Sequence, residues 1–130
     1  MVIHKNILIK DFFDNIDHAY CAADIIVSRA GAMTVNEISF MEKTMILVPL
    51  PSSAANHQFY NAKFFQDNDA ALMIEEKNLK GKIIEDSILK LFKNKDSLKL
   101  MGLNASKLII KNAREKILDQ IHRVLKIRKA

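Results

Sequence analysis

The chain has little of what would cross-link it or carry it through a bilayer. Its one cysteine, Cys21, excludes an internal disulfide. With no second Cys in the chain to pair with, Cys21 reads as a small packed side chain rather than a catalytic thiol. No apolar run approaches the ~20 residues that a bilayer span needs. The N-terminus, Met1-Val2-Ile3-His4-Lys5, lacks the apolar core and small-residue cleavage site of a signal peptide, so a cytosolic location is the default expectation. Glycine is scarce, three residues in all, and the clustered glycines of the usual dinucleotide fingerprint are missing. No repeat, low-complexity tract or flexible linker interrupts the chain.

What remains is ordinary globular material. The 130 residues, 49% hydrophobic and 27% charged, fit one domain able to bury roughly two-thirds of its unfolded surface. The net charge of +5 is unevenly spread: eight Lys or Arg and two acids from Lys107 onward give +6, while residues 1–106 carry −1. Such a basic tail is either a solvated helix face or a surface that attracts an anionic membrane or nucleic acid.

Apolar runs of strand length alternate with helix-length periodic segments. Asn6 to Lys10, Asp24 to Ser28, Met45 to Val48 and Ala70 to Ile74 read as strands. Asp14 to Ala22, Met33 to Glu42 and His57 to Gln66 read as the helices between them. This βαβαβαβ order predicts an α/β fold, a Rossmann-like parallel sheet with helices on both faces. After Glu76 only helical signals follow, over Leu79 to Phe92, Asp96 to Ile110 and Ala113 to Ile127. Asn94-Lys95-Asp96 and Lys111-Asn112 are predicted breaks, with Gly81 and Gly102 softer ones.

Two stretches carry chemistry. "SRAGAMTVNE", Ser28 to Glu37, follows the second strand directly. Thr34 and Glu37 have capping-box spacing, which by itself accounts for a helix start. The same stretch takes a strand end through a glycine turn into a helix N-terminus, where open α/β sheets bind ligands. Gly31 lets backbone approach a phosphate, the N–H groups near Met33 and Thr34 favour an anion, and Glu37 could accept from two adjacent ribose hydroxyls. "PLPSSAANHQFYNA", Pro49 to Ala62, follows the next strand. There His57, Gln58 and Asn61 gather at the start of a helix, either as solvated polar residues beside an Asn cap or as groups suited to sugar hydroxyls.

"ADIIVSRAGAMTVNE", then "ILVP", "HQFYNA" and "AALMI" resemble, in order and spacing, the C-terminal half of MurG-type glycosyltransferases. These bacterial enzymes transfer N-acetylglucosamine from UDP-N-acetylglucosamine to the undecaprenyl-linked muramyl-pentapeptide of peptidoglycan synthesis. The resemblance runs from about Ile7 to the end and is most specific between Ala23 and Ala62. It implies part of the C-terminal domain of a GT-B fold, with residues 1–76 a partial Rossmann-like nucleotide-sugar-binding domain and 77–130 a helical segment packed on it. Gly31, Met33 and Thr34 would then meet the diphosphate, Glu37 the ribose, and His57, Gln58 and Asn61 the N-acetylglucosamine. Ser28 and Arg29 would support the turn, Arg29 with a phosphate contact in addition.

The implied reaction is an inverting displacement needing no metal or cofactor, with UDP-N-acetylglucosamine as donor and a lipid-linked acceptor. Its base is expected in the family's N-terminal domain. That domain and the first part of the C-terminal one are not in this sequence, so a truncated or split product, completed by another region or chain, is expected. The implied place is cytoplasmic, peripheral on the inner face of the membrane. Asn56 stands where the family commonly has Asp, and Lys43-Thr44 where a Pro usually precedes the strand. The alternatives are the small subunit of a two-chain membrane-associated glycosyltransferase, or a non-catalytic module whose basic helix binds anionic lipid or nucleic acid. The last lacks aromatic-basic interleaving, so nucleic acid is not expected as a partner.

Overall fold

A parallel sheet of three strands, β3 (Ile25–Ser28), β4 (Thr44–Leu47) and β5 (Leu72–Met73), lies at the centre of the computed structural model, which describes residues 2–4 and 6–129. The register sets Ile25 against Thr44 and Ile46 against Leu72, with β4 in the middle. All four residues of β4 are buried, as expected for a strand covered on both faces. The ladder runs on past the strand ends, through Val48 N–H to Ser28 O (2.8 Å) and Ile74 N–H to Leu47 O (2.9 Å). Helices α1 (Ile16–Ala22), α2 (Ala32–Phe40) and α3 (His57–Asp67) precede or connect these strands. Ile26, Ile38, Met45, Leu47, Ala62 and Phe65 form the heart of the core.

The α/β class read from the pattern is the class found, but the first strand sits elsewhere. Asn6 to Lys10 contains β2 (Ile7–Ile9), which pairs antiparallel with β1 (Val2–His4) rather than joining the parallel sheet. The two strands are near neighbours in the chain, and the β2 side chains stay exposed. Among the described residues the outer edge of β3 is therefore unpaired.

Three helices complete the chain: α4 (Gly81–Phe92), α5 (Lys95–Leu108) and α6 (Ala113–Lys129). α5 packs on α2 and β4 through Leu98, Gly102, Ala105 and Ser106. Gly102, predicted as a soft break, lies inside α5, because here the helix meets the main chain of Glu42 and only a residue without Cβ fits. Thr44 Oγ1 donates to Leu98 O (2.6 Å), and Lys43 Nζ donates to Cys21 O (2.7 Å) and Ala23 O (3.0 Å), closing the end of α1. Lys43 and Thr44 thus each supply a tertiary bond. α6 stands apart, with Ile117, Leu118, Ile121, Val124 and Leu125 exposed. Among the described residues no helix is long and apolar enough to cross a membrane.

Candidate functional site

The carboxyl end of β3 runs through Arg29 and Ala30 into Gly31, which occupies the N-cap of α2 with φ −66° and ψ 140° and offers no side-chain cap. The first helical bond joins Val35 N–H to Gly31 O (3.0 Å). The N–H groups of Ala32, Met33 and Thr34 lie ahead of it, without a carbonyl inside the helix to accept them. No acidic residue stands in the first turn. The capping box predicted for Thr34 and Glu37 does not form: Thr34 is already the third residue of the helix, and neither side chain bonds back to its start. The helix therefore begins uncapped, with its positive dipole end open to an anion.

The turn is held from three sides. Ser28 O accepts from Val48 N–H at its base. Arg29 Nη1 reaches across the strand ends to the Glu76 carboxylate and to Val48 O (3.4 Å). Asn61 Nδ2 donates to Ala30 O (3.0 Å), so the second cluster touches the first through this amide. Ser28 Oγ is buried and has no partner among the described residues.

The loop after β4 turns through two successive left-handed residues, Ala55 (φ 47°) and Asn56 (φ 55°), before α3 starts. Left-handed geometry costs alanine about 1–2 kcal/mol and asparagine less. The α3 side chains brace this loop. Gln58 Oε1 accepts from Leu50 N–H (3.1 Å), Gln58 N–H donates to Ser53 Oγ (3.3 Å), and His57 Nδ1 bonds to Ala54 O. A carbonyl can only accept, so in neutral His57 the proton sits on Nδ1 and Nε2 is left as an acceptor. The Gln58 amide NH2 and Asn61 Oδ1 likewise have no partner among the described residues. The cluster read as solvated or sugar-facing is thus also the scaffold of its own loop.

Glu37 lies one turn below Met33 and Thr34 on the same side of α2. It borders a cleft of about 1070 Å³ whose lining includes Ile16, Tyr20, Phe40 and Ile109 but no residue of 49–61. Burial, and after it the negative charge of Glu37, pushes the Tyr20 phenol above its ordinary range. Glu37 therefore faces α1, while His57, Gln58 and Asn61 lie on the α3 side, with the Gly31 turn between them. Sequence reasoning missed Glu76 and Tyr20. Glu76 could have been suspected only because it follows the third strand of the same sheet, whose ends form one rim. Among the described residues no three His, Cys, Asp or Glu side chains gather to hold a metal ion.

The model of the family described as the glycosyltransferase family 28 C-terminal domain matches residues 3–121. The UDP-N-acetylglucosamine--N-acetylmuramyl-(pentapeptide) pyrophosphoryl-undecaprenol N-acetylglucosamine transferase of Vesicomyosocius okutanii subsp. Calyptogena okutanii is 42% identical over 120 residues, which make up 91% of this chain and 35% of the relative. The identically named protein of Rickettsia prowazekii is 43% identical over 88 residues, 68% of this chain and 23% of its own. Among solved structures, MurG of Acinetobacter baumannii superposes with a TM-score of 0.76 at 30% identity, covering 86% of this chain and 32% of that one. The chain thus spans about a third of the length of the Vesicomyosocius and Acinetobacter proteins.

Proposed function

From the premise that the chain belongs to the family of the glycosyltransferase family 28 C-terminal domain, we propose that it is the UDP-N-acetylglucosamine-binding part of an inverting N-acetylglucosaminyltransferase acting on the undecaprenyl-linked muramyl-pentapeptide. The observation that carries this reading is the uncapped start of α2 at the carboxyl end of β3, with no acid in its first turn. A diphosphate set over Gly31, Met33 and Thr34 supplies the missing acceptors. Glu37 takes the ribose hydroxyls. The Gln58 amide, His57 Nε2 and Asn61 Oδ1 face the sugar, and Ser28 and Arg29 support the turn, Arg29 with a phosphate contact in addition.

In the displacement, the acceptor hydroxyl oxygen bonds to the anomeric carbon as the bond to UDP breaks. The hydroxyl proton passes to a base in a region or chain beyond this one. The helix N-terminus serves the departing UDP, because its N–H groups are already aimed where negative charge grows. No cofactor or metal is required by this chemistry. Residues 1–76 form the partial nucleotide-sugar-binding domain in this reading, and 77–130 the helical segment, whose α5 is docked on α2 and β4. Titrating UDP-N-acetylglucosamine calorimetrically into the chain should give binding that Glu37→Ala and Gln58→Ala each weaken by about tenfold, the scale of one lost hydrogen bond to a polar ligand. Unchanged affinity in both variants would refute the site.

The lipid-linked acceptor brings a membrane surface with it, and we assign α6 to that surface on the cytoplasmic side. Its sequence carries six Lys or Arg against two acids, and its described apolar side chains are exposed, the composition of a helix lying in an interface. Flotation with anionic vesicles should fall severalfold on neutralising Arg114, Lys116 and Arg123 together, and with rising salt. Salt-insensitive flotation would exclude electrostatic attraction.

A further inference from the structure

Two cations at the carboxyl rim of the sheet, Arg29 and Lys77, are each matched by an acid. Arg29 pairs with Glu76, and Lys77 Nζ lies 2.9 Å from Glu75 Oε2. These four side chains leave no net charge on a rim that a diphosphate would approach. The Arg29 and Glu76 side chains are 49% and 40% exposed, so water screens their attraction and parting them costs little. The Glu76 carboxylate has no other partner among the described residues.

Nor does the turn rest on this pair alone. The strand ends are tied by Val48 N–H to Ser28 O and Ile74 N–H to Leu47 O, and the turn by Asn61 Nδ2 to Ala30 O. The Arg29 bond to Val48 O, at 3.4 Å, is the weakest of these contacts. Removing the carboxylate thus leaves the Gly31 turn in place and changes mainly the charge beside it.

We infer that Glu76 sets the affinity of the rim for diphosphate by competing for Arg29. Without ligand the guanidinium rests on Glu76; with a diphosphate over Gly31, Met33 and Thr34 it passes to a phosphate oxygen, and Glu76 is left in solvent. Phosphate is the more highly charged partner and accepts the guanidinium fork in the same planar geometry as a carboxylate. This inference rests on the diphosphate placement proposed above. Glu76 is here an affinity-setting residue that acts through Arg29, opposing binding rather than supporting it.

The test is a two-dimensional amide NMR titration of the full 130-residue chain with UDP and, separately, with uridine, following Met33 and Thr34. Glu76→Gln should bind UDP about fivefold more tightly than wild type, with a steeper salt dependence and no change toward uridine. The gain should vanish when Arg29→Ala is added. If wild type binds UDP and Glu76→Gln binds no more tightly, the inference fails while the diphosphate reading stands. A gain that persists without Arg29 also overturns it, since simple repulsion then explains the effect. Binding by neither wild type nor Glu76→Gln overturns the diphosphate reading and this inference with it.

Discussion

Gly102→Ala should lower the stability of the chain by about 1–3 kcal/mol, seen as a lower urea midpoint at unchanged slope. In an isolated helix the same change would gain about 1 kcal/mol, because alanine loses less backbone entropy. Packing reverses the sign here. A Cβ on Gly102 would lie 2.0 Å from the carbonyl oxygen of Glu42, 2.6 Å from its carbon and 3.3 Å from Lys43 N. These are backbone atoms, which cannot rotate aside as a flexible side chain would. Glu42 is itself held: its φ is 56°, and its Oε1 accepts from Ser106 Oγ (3.2 Å) on the same face of α5. Relief would require α5 to lift from α2 and β4, exposing Leu98 and Ala105, which are at most 9% exposed. Gly102→Val should be worse, since its branched carbons enter the same space. An alanine variant as stable as wild type would show that α5 does not dock here.

The same glycine shows where sequence reading stops. Local signals placed the elements well: β-branched "DIIVS" and apolar "MILV" are β3 and β4, and the helix-length segments became α1 to α6 to within a few residues. What these signals do not hold is the partner of each element. "NILIK" is a strand by composition, yet composition cannot choose between a parallel neighbour far along the chain and a hairpin two residues away. Gly102 is a breaker by type, but its role depends on the Glu42 carbonyl sixty residues earlier. At the candidate site, Gly31, Asn61 and Gln58 stood out by residue type and spacing. Their attachments did not, because Asn61 to Ala30 O, Gln58 to Leu50 N–H and Arg29 to Glu76 all join separate elements. Thr34 and Glu37 were legible as a cap because spacing is all that motif requires. The chain instead starts α2 three residues earlier and leaves the cap without a side chain.

Gly31 is where a ligand and a fold make opposite demands, and substitution there should separate them. Its φ of −66° and ψ of 140° suit any residue, and a Cβ built on it meets nothing within 4 Å. The fold therefore does not need glycine at this position. Gly31→Ala should keep stability to within about 1 kcal/mol, a gain from restricting the unfolded chain offsetting a poorer N-cap. Gly31→Ser should be more stable than wild type by a few tenths of a kcal/mol, since its hydroxyl can accept from an N–H that now has no helical partner. Both variants place atoms where the diphosphate would lie, and serine also occupies a donor the phosphate needs. Each should lower UDP-N-acetylglucosamine affinity by more than about tenfold, the worth of a hydrogen bond to a charged group, measured by calorimetry beside thermal or urea unfolding. A purely structural turn would show stability and affinity falling together or neither moving. Loss of binding in a protein that is as stable as before, or more so, is the result expected if the start of α2 is left uncapped for an anion to complete.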